Sequence, residues 1–222
     1  EKKKVKAELA VVEGGTLEIS ADAVQYPLEK KPSLFYIVST GRLSVEKSQE
    51  TLLLAMEHSK HKARIKLIFA GKGPKLKALK DTAENLRRSG AIMREPLFRD
   101  FTLEELKGIY SIADLYVDSS FAEADYTVCA DAVSNGIVPV IAEGKRTAAT
   151  KLALNPMSLF PAGDARKLAK CIDYWYEHEE ERRDEALKYK NTVRVTDIRE
   201  TVKKMREIFS LCETGEDASM AR

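Results

Sequence analysis

Apolar runs and helical spacings take turns along the chain. Leu34–Ser39 is an unbroken apolar run rich in β-formers and predicts a buried strand. A loop, Gly41-Arg42-Leu43-Ser44-Val45-Glu46-Lys47, follows it. Ser48–Lys60 has helical spacing, with Leu52, Leu53, Ala55 and Met56 turned inward. Arg64–Ala70 is the next strand, closed by Gly71-Lys72-Gly73-Pro74. Pro74 suits the first turn of a helix that runs to about Arg88. Ala91–Arg94 predicts a weak strand. Thr102–Ala113 predicts a helix, with Thr102 as N-cap and Glu105 closing a capping box. Leu115–Val117 is a short strand. The stretch Phe121–Val140 then reads as strand end, turn, helix and next strand, with Gly136 stopping the helix and Ile137–Ala142 as a buried strand. In that helix Thr127 and Asp131 share a face, and Val128 and Ala132 form an apolar row on another face that can pack on a sheet.

Beyond this point the pattern is helical. Asp164–Glu177 sets Leu168, Cys171, Ile172 and Trp175 on one side. Glu179–Asn191 is heavily charged. Thr196–Leu211 sets Ile198, Val202, Met205 and Phe209 on one side, and residues 213–222 read as a frayed end. Strands that alternate with helices predict an α/β fold: a doubly wound parallel sheet with extra C-terminal helices. The division is a connecting segment at 1–33, a ligand-binding domain at 34–190, and a last helix with its tail at 191–222.

Composition narrows the function classes. Apolar residues make up 44% of the chain, enough for a sizeable core. Lys+Arg is 37 against Asp+Glu 35, so no nucleic-acid partner is called for. The basic run at residues 2–6 is short and reads as a solvated helix face. Cys129, Cys171 and Cys212 have neither metal-ligand spacing nor a disulfide framework, which suits a reducing, cytoplasmic setting. His58, His61 and His178 fall in charged, helix-like stretches, so no metal site is expected. No apolar run reaches membrane-spanning length and no signal peptide opens the chain. The first residue is not methionine, so the chain reads as a piece of a longer one.

Candidate chemistry gathers at the carboxyl ends of the strands, where such sheets bind ligands. A helix that begins beside a strand end offers unpaired N–H groups and a partial positive charge, a seat for phosphate. Glu123 and Asp131 flank that helix start, and ionised carboxylates accept hydrogen bonds from sugar hydroxyls. Taken alone, two acidic residues at this spacing are solvated charges. The loop after the first strand adds Arg42, a planar fork, and Lys47, a point charge; together with the helix start they can neutralise a pyrophosphate. Gly71 and Gly73 permit a close backbone approach to a ligand. Their loop is neither a Walker loop, lacking Gly-Lys-Ser/Thr, nor a dinucleotide fingerprint, lacking the third glycine.

In order along the chain, Gly41–Lys47, Phe69–Pro74, Tyr110–Asp114, Glu123–Asp131 and Gly136–Pro139 resemble the C-terminal, donor-binding half of retaining GT-B glycosyltransferases, from about Leu34 to about Tyr189. Phe69–Pro74, Ala113–Val117, Val138–Ala142, Thr147–Thr150 and Ile172–His178 look like the bacterial subgroup that glucosylates diacylglycerol. The resemblance implies a Rossmann-like domain and a retaining hexosyltransferase that takes a UDP-sugar, UDP-glucose first, with no cofactor and no metal. It implies that Arg42 and Lys47 bind the donor's diphosphate and that Glu123 holds hydroxyls of the transferred sugar. Asp131 matches the second glutamate of the family's Glu-x7-Glu motif, which holds the ribose. Tyr126, Thr127 and Val128 offer backbone N–H groups, and Gly41, Gly71 and Gly73 shape the loops.

The sequence departs from the family's pattern twice. Asp131 is one methylene shorter than glutamate, and Ala124-Asp125-Tyr126 replaces Gly-Phe-Gly. The resemblance further implies a missing N-terminal acceptor domain, without which this piece is inactive alone, and a lipid acceptor at the inner membrane face. The Thr196–Leu211 helix resembles the family's return helix. Two other readings stand beside this one. One is a non-catalytic nucleotide-sugar-binding module. The other is a nicotinamide-dependent oxidoreductase, against which the missing glycine fingerprint speaks.

Overall fold

Every residue of Phe35–Thr40 is buried, as a strand covered by helices on both faces requires. This strand, β1, pairs in parallel with β2, Ile65–Ala70, in a register that runs from Phe35↔Ile65 to Thr40↔Ala70. The computed structural model describes residues 28–123, 126–144, 146–192 and 198–214. Its other strands are β3 Leu97–Arg99, β4 Leu115–Asp118, β5 Ala122–Glu123, β6 Pro139–Glu143, β7 Arg146–Thr147 and β8 Leu159–Pro161. The helices are α1 Glu50–Ala55, α2 Leu76–Arg88, α3 Leu103–Ile112, α4 Thr127–Ser134, α5 Ala165–Glu177, α6 Glu179–Thr192 and α7 Ile198–Thr214. Two short 3₁₀ turns lie between β7 and β8.

The main sheet has six strands in the order β3-β2-β1-β4-β6-β8, every pair parallel. Chain order runs outward from β1 to β3, then returns to β4 on the other side of β1. Between β1 and β4 the winding reverses, and their carboxyl ends open a crevice. Right-handed crossovers put α1 and α2 on one face and α4 on the other. On the first face α1 packs against α2 and α5; on the second α4 packs against α6. The chain divides into two compact units, with the sheet and α1–α6 in one and α7 in the other. No helix among the described residues is long and apolar enough to cross a membrane.

Local chemistry explains most boundaries. The capping box at α3 is present: Glu105 N–H donates to Thr102 Oγ1 at 3.2 Å, and Thr102 N–H donates to Glu105 Oε2 at 3.0 Å. Asp164 caps α5 by accepting from Lys167 N–H at 2.8 Å. Trp175 is fully buried, and its indole N–H donates to Met157 O at 3.1 Å.

Several expectations need correction. The helix expected over Ser48–Lys60 ends at Ala55, because Met56, Glu57 and His58 bond back three residues rather than four. Asp173 of α5 then takes over, accepting from Ser59 Oγ at 2.6 Å and Lys60 N–H at 3.0 Å. Ala91–Arg94 is not a strand: the N–H groups of Ala91 and Ile92 both donate to Leu86 O and finish α2. The edge strand is β3, three residues further on. Val128 does not pack on the sheet; it is 39% exposed, while Cys129, Ala132 and Val133 turn inward. Of the connecting segment, residues 1–27 lie outside the described residues, as do Ala124, Asp125 and the tail beyond Thr214.

Candidate active site at the carboxyl ends of β1 and β4

Gly41 follows β1 directly and takes φ 121°, in the region that favours glycine. A Cβ placed there would lie 3.4 Å from Lys47 Cε and 3.6 Å from Nζ, so the Lys47 side chain folds back across the start of its own loop. Ser48, next in sequence, sits at φ 47°, a left-handed conformation that costs a non-glycine residue about 1–2 kcal/mol. That kink lies where the chain passes from the loop towards α1. Arg42 is exposed, and its carbonyl accepts from Gln49 Nε2 at 2.9 Å, which anchors the loop's other end. The carboxyl of Glu46 is lowered by a hydrogen bond from Ser44 and by its own backbone N–H, with the charges of Arg42 and Lys47 adding to the effect.

The loop after β4 is fastened to this one. Phe121 N–H donates to Glu46 O at 3.0 Å, and Ser119 Oγ donates to Lys47 O at 2.9 Å. Glu123 follows in β5, which pairs with β7 in the register Ala122↔Arg146 and Glu123↔Thr147. The main chain at Glu123 is thus paired with Thr147, two residues after the bond to Glu46. Helix α4 begins four residues later. Tyr126 at its N-cap supplies no side-chain cap, and no acidic residue stands in the first turn. Within the helix, burial pushes the Cys129 thiol up, Asp118 pushes it further, and the Lys47 charge opposes both. The loop that carries Arg42 and Lys47 is thus bonded to the loop that leads towards α4. Asp131, one turn on, is half-buried. Burial raises its carboxyl, against Lys107 and a hydrogen bond from Tyr110, which both lower it.

Gly71 and Gly73 have a neighbour that the sequence did not suggest. A Cβ at Gly71 would lie 2.1 Å from Gly41 O, and one at Gly73 would lie 2.3 Å from Leu43 O. The close approach is to the β1 loop itself. Leu43 N–H donates to Lys72 O at 2.9 Å, and Lys75 N–H to Leu43 O at 3.0 Å. Gly71→Ala must therefore push the two loops apart. We expect a loss of about 3 kcal/mol of stability, measured by urea denaturation; an unchanged midpoint would show that the loops are not in contact.

Ser119 belongs to this neighbourhood and carried no distinguishing signal; only the bond of its hydroxyl to Lys47 O, 72 positions away, gives it a place.

A doubly wound parallel sheet with a cationic loop after its first strand, tied to an uncapped helix start at the winding reversal, is the C-terminal half of a GT-B glycosyltransferase. The chain belongs to the glycosyl transferases group 1 family, whose pattern matches residues 22–192. It is similar to the catalytic domain of cholesterol-α-glucosyltransferase from Helicobacter pylori, at 36% identity and a TM-score of 0.63 over 72% of this chain and 97% of that one. It is also similar to the alpha-monoglucosyldiacylglycerol synthase of Streptococcus pneumoniae, at 29% identity over 109 residues. That match takes in 49% of this chain, and the chain spans only 24% of that relative's length. A structure of Anabaena HepE in complex with UDP and glucose shares the fold, with a TM-score of 0.66 over 80% of this chain and 48% of that one at 19% identity.

Proposed function

We propose that this chain is the donor-binding half of a retaining hexosyltransferase that takes a UDP-sugar, UDP-glucose first. Arg42, Lys47 and the backbone N–H groups of Tyr126, Thr127 and Val128 hold the diphosphate. Glu123 holds hydroxyls of the transferred sugar, and Asp131 holds the ribose. Gly41, Gly71 and Gly73 shape the seat. The observation that carries this reading is the fastening of the Arg42–Lys47 loop to the residues that lead into α4. In this reading the two cations and the helix start meet at one crevice, where charge on the departing UDP grows as the glycosidic bond to it breaks. The chemistry uses neither metal nor cofactor. An N-terminal acceptor domain completes the enzyme, and without it the chain binds donor but transfers poorly.

The acceptor in this proposal is a membrane lipid, reached from the cytoplasmic face. Its support is the likeness to two relatives, a cholesterol-α-glucosyltransferase and a synthase of monoglucosyldiacylglycerol. Calorimetry with UDP, UDP-glucose, GDP and ADP tests the donor. Heat is expected with the two uridine nucleotides alone. Heat with GDP or ADP and none with UDP would overturn the assignment.

A further inference from the structure

Gln49 stands between the cationic loop and α1, and it is only 3% exposed. Its backbone belongs to the helix: Leu52 N–H donates to Gln49 O at 3.1 Å, and Leu52 and Leu53 are fully buried. Its side chain belongs to the loop. Nε2 donates to Arg42 O at 2.9 Å, seven positions back. The side chain makes no cap to α1. Its Oε1 is shielded from solvent and has no hydrogen-bond partner among the described residues. An amide oxygen buried in this way costs stability, and an unbranched apolar side chain of similar length would avoid that cost. The polar end of this side chain thus serves Arg42 and nothing else among the described residues.

The Arg42 carbonyl and the Leu43 N–H are two ends of one rigid peptide plane. Leu43 N–H donates to Lys72 O at 2.9 Å, so the plane is bonded at both ends, by Gln49 on one side and by the loop after β2 on the other. A plane held in this way limits rotation about ψ of Arg42, and with it the direction in which the exposed side chain leaves the main chain. We propose that Gln49 is a positioning residue: its amide holds the Arg42 carbonyl so that the guanidinium is presented to the donor's diphosphate. The inference rests on the assignment of Arg42 to the diphosphate. Ser44 Oγ lies 3.5 Å from the same carbonyl, but its one proton goes to Glu46 Oε1 at 2.6 Å, so it does not replace Gln49. Without the amide the loop samples directions that do not meet the ligand. Apparent affinity then falls in proportion to the fraction of chains still held in the binding direction.

A double-mutant cycle tests this. Dissociation constants of UDP are measured by calorimetry on the unaltered chain, on Gln49→Met, on Arg42→Ala and on the double variant. Methionine has glutamine's length and removes both the donor and the buried oxygen; a thermal melt checks that the fold is kept. With Arg42 present, Gln49→Met is expected to weaken UDP binding about fivefold, the scale of one neutral hydrogen bond. In the Arg42→Ala background the same change is expected to alter UDP binding by less than about 1.5-fold, because no guanidinium is left to aim. Gln49→Leu carries the same test if methionine disturbs the fold. Equal weakening in both backgrounds would mean that Gln49 merely shapes the loop. Unchanged binding with Arg42 present would mean that the carbonyl needs no holding. Either result overturns the proposal and leaves the donor assignment standing. If Arg42→Ala alone leaves UDP binding unchanged, or the unaltered chain binds no UDP, the assignment beneath the proposal falls with it.

Discussion

In the full-length protein, Lys47→Ala is expected to lower sugar transfer by about 10²–10³-fold, the range found when a preorganised group is removed from a developing charge. Lys47 is placed for that task by local constraints. Its stem crosses Gly41, so that a Cβ at that position would lie 3.6 Å from Nζ. Its own carbonyl is held by Ser119. Its charge is felt at Cys129, in the first turns of α4. The diphosphate of the intact donor already carries negative charge, so binding of UDP is expected to weaken as well, by about tenfold. The larger effect falls on transfer, because only the transition state adds charge to the leaving oxygen. Lys47→Arg is not expected to restore activity: a wide planar fork does not occupy the narrow path across Gly41 as an ammonium does. Initial rates with labelled UDP-glucose measure the change. A fall of less than about threefold would remove Lys47 from the catalytic group.

Glu123→Ala separates the enzyme from a binding module that uses the same fold. Transfer is expected to fall by at least about 10²-fold, while the dissociation constant of UDP changes by less than about twofold. The asymmetry follows from the proposed role, since Glu123 addresses the sugar and the nucleotide is gripped elsewhere. The main chain at Glu123 is paired with Thr147, and Phe121 two residues earlier is bonded to Glu46. Cutting the side chain back should therefore leave the strand in place. Unchanged transfer would favour the non-catalytic module.

The winding of the sheet was legible because its central strands are covered on both faces. That burial writes a continuous apolar run, as in Leu34–Ser39 and Arg64–Ala70. Helix starts were legible where a side chain makes the cap, as Thr102 and Glu105 do. Short edge elements were not. β3 and β8 have three residues each, and β5 and β7 two each, too few to establish a period. Ala91–Arg94 looked more like a strand than Leu97–Arg99, because its apolar pair Ala91 and Ile92 is equally suited to closing α2 against Leu86. Val128 misled for a similar reason: on a helix of eight residues, a shift of one position exchanges the inner and outer rows.

The cationic loop was legible from its place after β1, and the family likeness supplies the partners proposed for it across the crevice. What the sequence withheld is how the site is supported. Nothing in Gly71-Lys72-Gly73 announces that its glycines serve the neighbouring loop. Nothing at Tyr110 announces that its hydroxyl reaches Thr40, seventy positions away along the chain.

The contact of Gly71 and Gly73 with the β1 loop has an evolutionary consequence. The two loops meet main chain to main chain, with no side chain interposed. Residues such as Val45, which is 60% exposed, can drift without disturbing this junction. Neither glycine can be exchanged without reshaping it. On the role proposed for this loop, the grip on the leaving group is insulated from the substitutions by which a lineage would change its sugar or its acceptor, and new specificities can arise on an inherited phosphate seat.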